Sequence, residues 1–586
     1  MQGKHHKLTP KLGQWQATAV AGNDILSSAL YVSGIAILFA GIYAPLVFVI
    51  IAVVLYLYKS VYIEVVEALP LNGGAYNCLL NGTSKTIAAC AGVITFITYI
   101  ATAVISAKTA VAYVHTVLPL PITFGTLIVL GTFGLLTVSG IKDSAKVALA
   151  IFIFHIICLV LFIGLGVLYL IHGNSQFGVN MMHTDKLLPQ QGGFFFALFF
   201  AFSAALIGAT GFESSSNFVE QQKPGVFRKT LRNMLIAVGI FSPLLTLVIL
   251  NTMDYNAISQ AKDFLLADAA RILGGTAFQY MIVLDAFLVL SGAVLTAYIA
   301  VSGLLSRMAA EGCLPYLLTK KNHNGAFPAI IVFFFSLCSS ILLFTGGNLL
   351  TLAGVYALSF LTEMTLFAFG NLILKETRSE LRRNYRAPVL FVVLAFFATF
   401  VGILGNVHID SNNLRYFIFY FIPILIVVLC IIYQDYLLMG LLRVFRTLPF
   451  LRKPLQSQFR EITHGRFVAF IHNKENIYKI LRYINRNETG RHITLIHCKC
   501  DETCDDHKEA GSGMRELERI VTDLQLAGAF THFKIDVVYS HTPFGPEAID
   551  QISKELRIKR NRILIGSIHD SHPYDYASLG GLRVIF

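Results

Sequence analysis

The sequence predicts an α-helical integral membrane protein of about twelve transmembrane helices, followed by a cytoplasmic α/β domain with a mainly parallel sheet. Three observations carry that expectation. Of the 586 residues 55% are hydrophobic and only 14% charged, whereas soluble domains carry about 25% charged residues. Apolar runs long enough to cross a hydrocarbon core recur from near the N-terminus to about residue 440. Beyond that point they shorten to strand length and alternate with charged, helix-period segments.

The expected spans are 16–40, 44–69, 86–118, 122–139, 145–171, 193–219, 230–252, 276–304, 328–345, 347–374, 387–407 and 415–439. The first follows a basic segment, Lys4 to Lys11, but it is too long for a signal-peptide core and no small-residue cleavage pattern follows, so it stays as a helix. Lys and Arg are retained on the cytoplasmic side of a membrane. With the N-terminus inside, one set of connections holds Lys4, Lys7, Lys11, Lys85, Lys142, Lys146, Lys223, Arg228, Lys229, Arg232, Arg307, Lys320, Lys321, Lys375, Arg378, Arg382, Arg383 and Arg386. The opposite set holds Lys186, Lys262, Arg271 and Arg415. Both termini are therefore expected in the cytoplasm of a multi-pass plasma or inner membrane protein. The net charge of +12 becomes a topology signal, and no nucleic-acid partner is expected. Nine cysteines in such a chain form no disulfide framework and are read as reduced.

Residues 1–15 are read as a cytoplasmic N-terminus, 16–440 as the transmembrane domain and 441–586 as the cytoplasmic domain. In the last, strands are expected at Arg466 to His472, His492 to Lys499, His532 to Ser540 and Arg562 to Ser567. Helices are expected at Glu475 to Asn485, Met514 to Leu526 and Glu547 to Leu556, which makes a β-α alternation.

An acid inside a span is costly and is a functional candidate by default. The first span contains Gly22-Asn23-Asp24-Ile25-Leu26-Ser27-Ser28, and the sixth contains Gly211-Phe212-Glu213-Ser214-Ser215-Ser216. Each reads Gly-x-acid and then serines, a composition that competes with helical backbone bonds and frees carbonyls near the bilayer midplane. Transporters built from inverted repeats hold substrate and ion at such a pair of interrupted helices. Helices 1–5 and 6–10 are then the two repeats. Close helix packing explains the glycines and serines equally well, but not two acids at matching positions. Tyr31 follows Asp24 by about two helical turns, so a continuous helix puts its phenol beside the carboxylate.

At this point the residues resemble the amino acid-polyamine-organocation superfamily over about residues 14–440. Glu64 to Tyr76, reading EVVEALPLNGGAY, looks like its helix 2 end running into Pro-x-x-Gly-Gly-x-Tyr. Gly140 to Lys146 resembles its helix 4 to 5 turn, Ser306 to Pro315 its loop after helix 8, and Arg382 to Pro388 the segment before helix 11. The resemblance implies a LeuT-like five-plus-five inverted repeat and secondary transport. Asp24 to Tyr31 departs from the Gly-Ser-Gly turn of amino acid permeases and is similar to the Asp-x-Leu-Ser-Ser-x-x-Tyr of KimA-type potassium importers. Carried over position by position, Asp24, Tyr31, Thr102, Ser106, Thr210, Glu213 and Tyr356 match residues around the cation and proton of such importers. Thr98 stands where they have an acid.

An ionised Asp24 repels a substrate carboxylate and suits a cation, whether potassium, an amine or a cationic amino acid. Ser27 and Ser28 join the candidate ligands. Glu213, shielded from water, is the candidate to take up and release a coupling proton, with sodium coupling as the rival. A neutral amino acid symporter and a transporter-fold sensor are the alternatives. Two of Lys108, Asp285 and Glu363 are expected to form a structural pair, with Lys108 also a coupling candidate because a fixed ammonium can replace a coupling cation. Glu64 and Glu67 are expected to reach interfacial water.

The strand and helix order of the last domain resembles the universal stress protein fold. Its phosphate segment departs from that family at Gly566-Ser567-Ile568-His569 and at Gly580-Gly581, so no nucleotide is expected. Cys498, Cys500, Cys504 and His507 are the ligands of a candidate zinc site, weighed against an exposed, reduced loop. No other cofactor is expected, and no enzyme constellation is present. The expected partners are a small-molecule or ion substrate, a coupling proton or sodium, and the lipid bilayer, with a homodimer left open.

Overall fold

The structure, a computed structural model, describes residues 11–261, 264–344, 349–381, 383–444, 453–457, 459, 465–471, 476–488, 490–498, 510–540, 542, 544–556, 558–566 and 583–585. The apolar stretch Gln14–Ala68 holds α1 (Gln14–Ser27), α2 (Ala29–Ala40) and, after a turn at Gly41–Tyr43, α3 (Ala44–Ala68). Then follow α4 (Gly74–Gly82), α5 (Lys85–His115), α6 (Ile122–Val138), α7 (Ile141–Ile171), α8 (Phe177–Gln190) and α9 (Phe194–Ala205). After an irregular stretch come α10 (Val226–Thr252), α11 (Tyr255–Gln260), α12 (Leu265–Ala310), α13 (Pro328–Phe344), α14 (Leu349–Thr377), α15 (Val389–Ile409), α16 (Asn412–Ile432) and α17 (Gln434–Val444). Among the described residues nine helical stretches are long and apolar enough to span a membrane, Gln14–Ala68 counted once, and α6 and α13 are shorter apolar helices.

Each expected span meets one of these helices. α12 is kinked at Gly274 and Gly275, which have non-helical backbone angles. The last span differs from the expectation, because α16 stops at Ile432 and α17 starts at Gln434.

Large apolar side chains such as Leu135, Phe195, Phe344 and Phe419 are exposed while Asp24, Glu213, Ser214 and Thr98 are buried. This polarity suits lipid as the surrounding solvent. α5 packs against both α12 and α14, and every residue of it from Ala91 to Ala107 is buried. At Gly303 of α12 a Cβ atom would lie 1.9 Å from the Asn217 carbonyl oxygen. Only glycine lets the irregular stretch after α9 approach that helix so closely.

The C-terminal region has a five-stranded sheet in the order β3-β2-β1-β4-β5. Its strands are β1 (Arg466–Phe470), β2 (His492–Cys498), β3 (Lys534–Ser540), β4 (Ile563–Gly566) and β5 (Arg583–Ile585), every neighbouring pair parallel. Helices Asn476–Asn487, Ala510–Leu526 and Pro546–Glu555 lie in the connections. Four strands were expected; the fifth, three residues long, is too short to carry a period of its own.

Side chains alternate across the sheet. Phe467, Ala469, Ile493 and Leu495 pack on Ile480, Leu481 and Leu517 of the first two helices. Val468, Phe470, Ile496 and Ile563 pack with Ile549 and Ile552 of the third, in a cluster that continues into Ala68, Leu69, Leu71, Leu374 and Leu381 of the membrane domain. Charges complete the boundary. Lys85 Nζ lies 3.0 Å from Glu488 Oε1, Arg583 pairs with the same carboxylate, and Arg583 Nε donates to the Ala310 carbonyl at 3.0 Å. Tyr483 donates to Glu311 at 2.8 Å, and Arg307 pairs with Glu311 at 2.7 Å.

Candidate functional site

The two acid-bearing helix breaks share a sequence signature but differ in structure. α1 stays helical through Ser27, and the interruption is Ser28 alone, itself in right-handed helical conformation. This corrects the expectation of an unwound first span. The serine hydroxyls bond the carbonyls that unwinding was expected to free: Ser27 donates to the Asp24 carbonyl at 2.8 Å, and Ser28 to that of Ile25 at 2.6 Å and that of Gly208 at 3.1 Å.

The second break is long. α9 ends at Ala205, Leu206–Ala209 is a 3-10 turn, Thr210 is extended, and 3-10 turns follow at Ser214–Asn217 and Val219–Gln221. Gly211 has φ +95°, and a Cβ atom there would sit 2.7 Å from the Ile25 nitrogen and 2.9 Å from the Asp24 Cβ. That glycine lets the second break lie directly on the first. Its N–H donates to Glu213 Oε2 at 3.0 Å.

Ser214 joins the two acids' segments, its hydroxyl donating to Asp24 Oδ2 at 3.0 Å. Tyr31 neighbours Asp24 and Thr210. Tyr356 of α14 neighbours Tyr31, Asp24, Glu213 and Thr102. Thr102 donates its hydroxyl proton to the Thr98 carbonyl at 2.9 Å, which leaves lone pairs for another group. Ser106 is buried one turn further along α5. The structure thus gathers Asp24, Tyr31, Thr102, Thr210, Glu213 and Tyr356, while Ser27 and Ser28 are tied to backbone beside them.

Asp24 is 2% exposed and Glu213 1%. Glu213 Oε1 and Thr210 Oγ1 carry no hydrogen bond. The donors are all oxygens, which suits a hard cation. Among the described residues there is no group of three or more His, Cys, Asp or Glu side chains arranged to hold a metal ion.

The other intramembrane charges depart from expectation. Asp285 pairs with His155 of α7 at 2.8 Å, both side chains essentially unexposed, rather than with Lys108 or Glu363. Its only advance signal was that His155 is the one histidine within 145–171. Lys108 is half-buried. Glu363 faces Thr95 and Thr98 of α5 and is an electrostatic neighbour of Glu213, so the structure adds a third acid beside the site. Glu64 does not reach water: it is unexposed, 2.5 Å from Lys375 Nζ and 2.7 Å from Arg383. Glu67 accepts the Tyr385 N–H at 2.9 Å.

Of the candidate zinc ligands, Cys500, Cys504 and His507 lie outside the described residues, as do Ser567, Gly580 and Gly581. Cys498 ends β2 half-buried. Burial pushes its thiol up to about 12, with a hydrogen bond to Ser540 working the other way, whereas zinc takes a thiolate.

The profile of the family described as Amino acid permease matches residues 12–430. The curated protein "Potassium transporter KimA" of Bacillus subtilis (strain 168) is 23% identical over 446 residues, which covers 73% of this chain and 72% of that protein. A solved structure described as the substrate-bound outward-open state of a Na+-coupled sialic acid symporter aligns at 9% identity with a TM-score of 0.45, over 68% of this chain and 90% of that one.

Proposed function

The chain belongs to the amino acid permease family over residues 12–430 and is a secondary transporter, and on that premise we propose that it carries a small cationic solute in symport with protons. The cargo is potassium, an amine or a cationic amino acid, held between the two helix breaks by Asp24, Tyr31, Thr102, Thr210 and Tyr356, with Ser27, Ser28 and Ser106 around them. One observation carries the reading: Asp24 and Glu213 are buried beside each other, and among the described residues neither has a cationic partner. A buried charge without a counter-charge is strongly unfavourable, so the neutralising group is one that comes and goes. The likeness to a protein described as a potassium transporter puts potassium first among the cargoes.

Glu213 is the coupling residue in this reading. Uptake of potassium by the purified chain in liposomes should rise when the lumen is made alkaline relative to the outside. No response to the pH gradient refutes proton coupling, and a response to a sodium gradient instead assigns sodium. Counterflow separates the alternatives: exchange supports a carrier, and binding without flux supports a sensor signalling through the cytoplasmic domain.

The same reading places twelve spans in a five-plus-five inverted repeat, both termini in the cytoplasm of the plasma or inner membrane, and a universal-stress-protein-like fold at residues 441–586. A zinc site at Cys498, Cys500, Cys504 and His507 is tested by metal analysis after chelator-free purification, less than about half an equivalent refuting a four-ligand site.

A further inference from the structure

Glu363 lies on α14, 1% exposed, and its Oε2 carries no hydrogen bond. Glu213, equally buried, spends Oε2 on the Gly211 N–H and leaves Oε1 without a hydrogen bond. One side chain bridges the two neighbourhoods. Tyr62 of α3 meets the Phe212 ring edge-on at 5.9 Å and stacks on Phe367 at 4.0 Å. Its hydroxyl donates to the Met364 sulfur at 3.2 Å, so Tyr62 touches the residue before Glu213 and the residue after Glu363. From α5, Tyr99 accepts a hydrogen bond from Asn217 at 2.5 Å and is an electrostatic neighbour of both carboxyls.

The groups facing this pair are Asp24 from α1, Tyr62 from α3, Tyr99 from α5 and Tyr356 from α14. Among the described residues none of the acids is in an ion pair, and no ammonium or guanidinium reaches them. Two dehydrated carboxylates at close quarters do not both stay ionised without a bound cation, and the lighter solution is one shared proton. Ring hydroxyls and Thr95 and Thr98 surround Glu363, while the break segments with their backbone carbonyls surround Asp24.

We propose that Glu363 is the partner of Glu213 in a two-carboxyl proton site that lies beside, and is separate from, the cation site at Asp24. The inference rests on the proton coupling proposed above and adds a residue and a division of labour to it. In each cycle a proton entering from the outer side converts one carboxylate of the pair to a carboxyl, and the bond breaks again when the proton leaves to the inner side; nothing is oxidised or reduced. Because the pair joins α14 to the break after α9, the proton ties those two elements together and its release lets them part.

The test uses the full chain in liposomes, with potassium uptake under an inside-alkaline gradient and rubidium–potassium counterflow at symmetric pH as two readouts. Glu363→Gln should reduce the acceleration by the pH gradient about tenfold or more, the size of an ordinary coupling free energy, while counterflow falls only about two- to threefold. Glu363→Asp, which keeps the carboxyl, should restore part of the gradient response and serves if the glutamine variant does not fold. A Glu363→Gln chain that answers the gradient as the wild type does overturns the inference and leaves the proton coupling standing. Loss of counterflow and gradient response in equal measure, with unchanged thermal unfolding, also overturns it and places Glu363 in the cation site. A wild type without gradient response refutes the coupling itself, and the inference with it.

Discussion

Two clusters of buried charge in this molecule are built on opposite rules. At the boundary between the membrane helices and the C-terminal sheet, Lys85, Arg307, Glu311 and Arg583 are buried and Glu488 is half-buried, and each has an opposite charge beside it. Between the helix breaks, Asp24, Glu213 and Glu363 are buried, and among the described residues none is in an ion pair. The difference teaches what buried charge is for. Charges that hold two parts together neutralise each other, and in the transport proposed above the open ones are neutralised by a mobile ion.

The comparison breaks most visibly if a member of the paired cluster is removed. Arg583→Met removes the guanidinium shared by Glu311 and Glu488 and leaves them only Arg307 and Lys85, a loss that approaches the ~3–5 kcal/mol of a broken buried pair. Thermal unfolding and protease sensitivity of the C-terminal sheet region in the full chain should both show it. Asp24→Asn should not lower the melting temperature, because it removes a charge that had no partner; a melt lowered as far as that of Arg583→Met erases the distinction.

Next in size is Gly211→Ala. It must place a Cβ against Asp24 and Ile25 at a backbone angle of +95°, a strain of about 1–3 kcal/mol at an active position. It should cost at least tenfold in cation affinity, measured by equilibrium binding of potassium. Smaller again is Ser214→Ala, which removes a single neutral hydrogen bond to Asp24 worth about 1 kcal/mol; roughly fivefold weaker binding is the expected reading.

The smallest effect is in pH. Burial works against ionisation of Glu488, but Arg583 and Lys85 prevail and hold its carboxyl below the usual glutamate value. A depressed carboxyl contributes stability that is present above the unfolded value, near 4.5, and lost as pH falls through the folded one. Unfolding of the full chain should therefore be insensitive to this group from neutral pH down to about 5 and weaken only below it. In Arg583→Met the folded value moves up toward the unfolded one, so the decline should keep its onset and lose amplitude.

Much of the architecture was legible because a lipid-facing helix cannot hide its composition. The runs 86–118 and 122–139 meet α5 (Lys85–His115) and α6 (Ile122–Val138) almost end for end, and Asp24 and Glu213 stood out because acids are rare in spans. What stayed hidden depends on contacts distant in the chain. Nothing local says that Asp285 will find His155, 130 residues away, or that Glu363 will turn toward Glu213 rather than Lys108. The first break was overread because Gly and Ser mark both a broken helix and a helix whose hydroxyls bond its own carbonyls. Packing chose between them: Gly211 adopts a positive φ against α1, whereas Gly22 remains helical.

The most direct test of the central claim is equilibrium binding of potassium, polyamines and cationic and neutral amino acids to the purified wild type and to Asp24→Asn, alongside their melting temperatures. A cation that binds the wild type and binds the variant at least tenfold more weakly, about 1.4 kcal/mol, with no loss of thermal stability, is the predicted result. A cation bound equally well by both, or a neutral amino acid as the ligand the substitution removes, would contradict it.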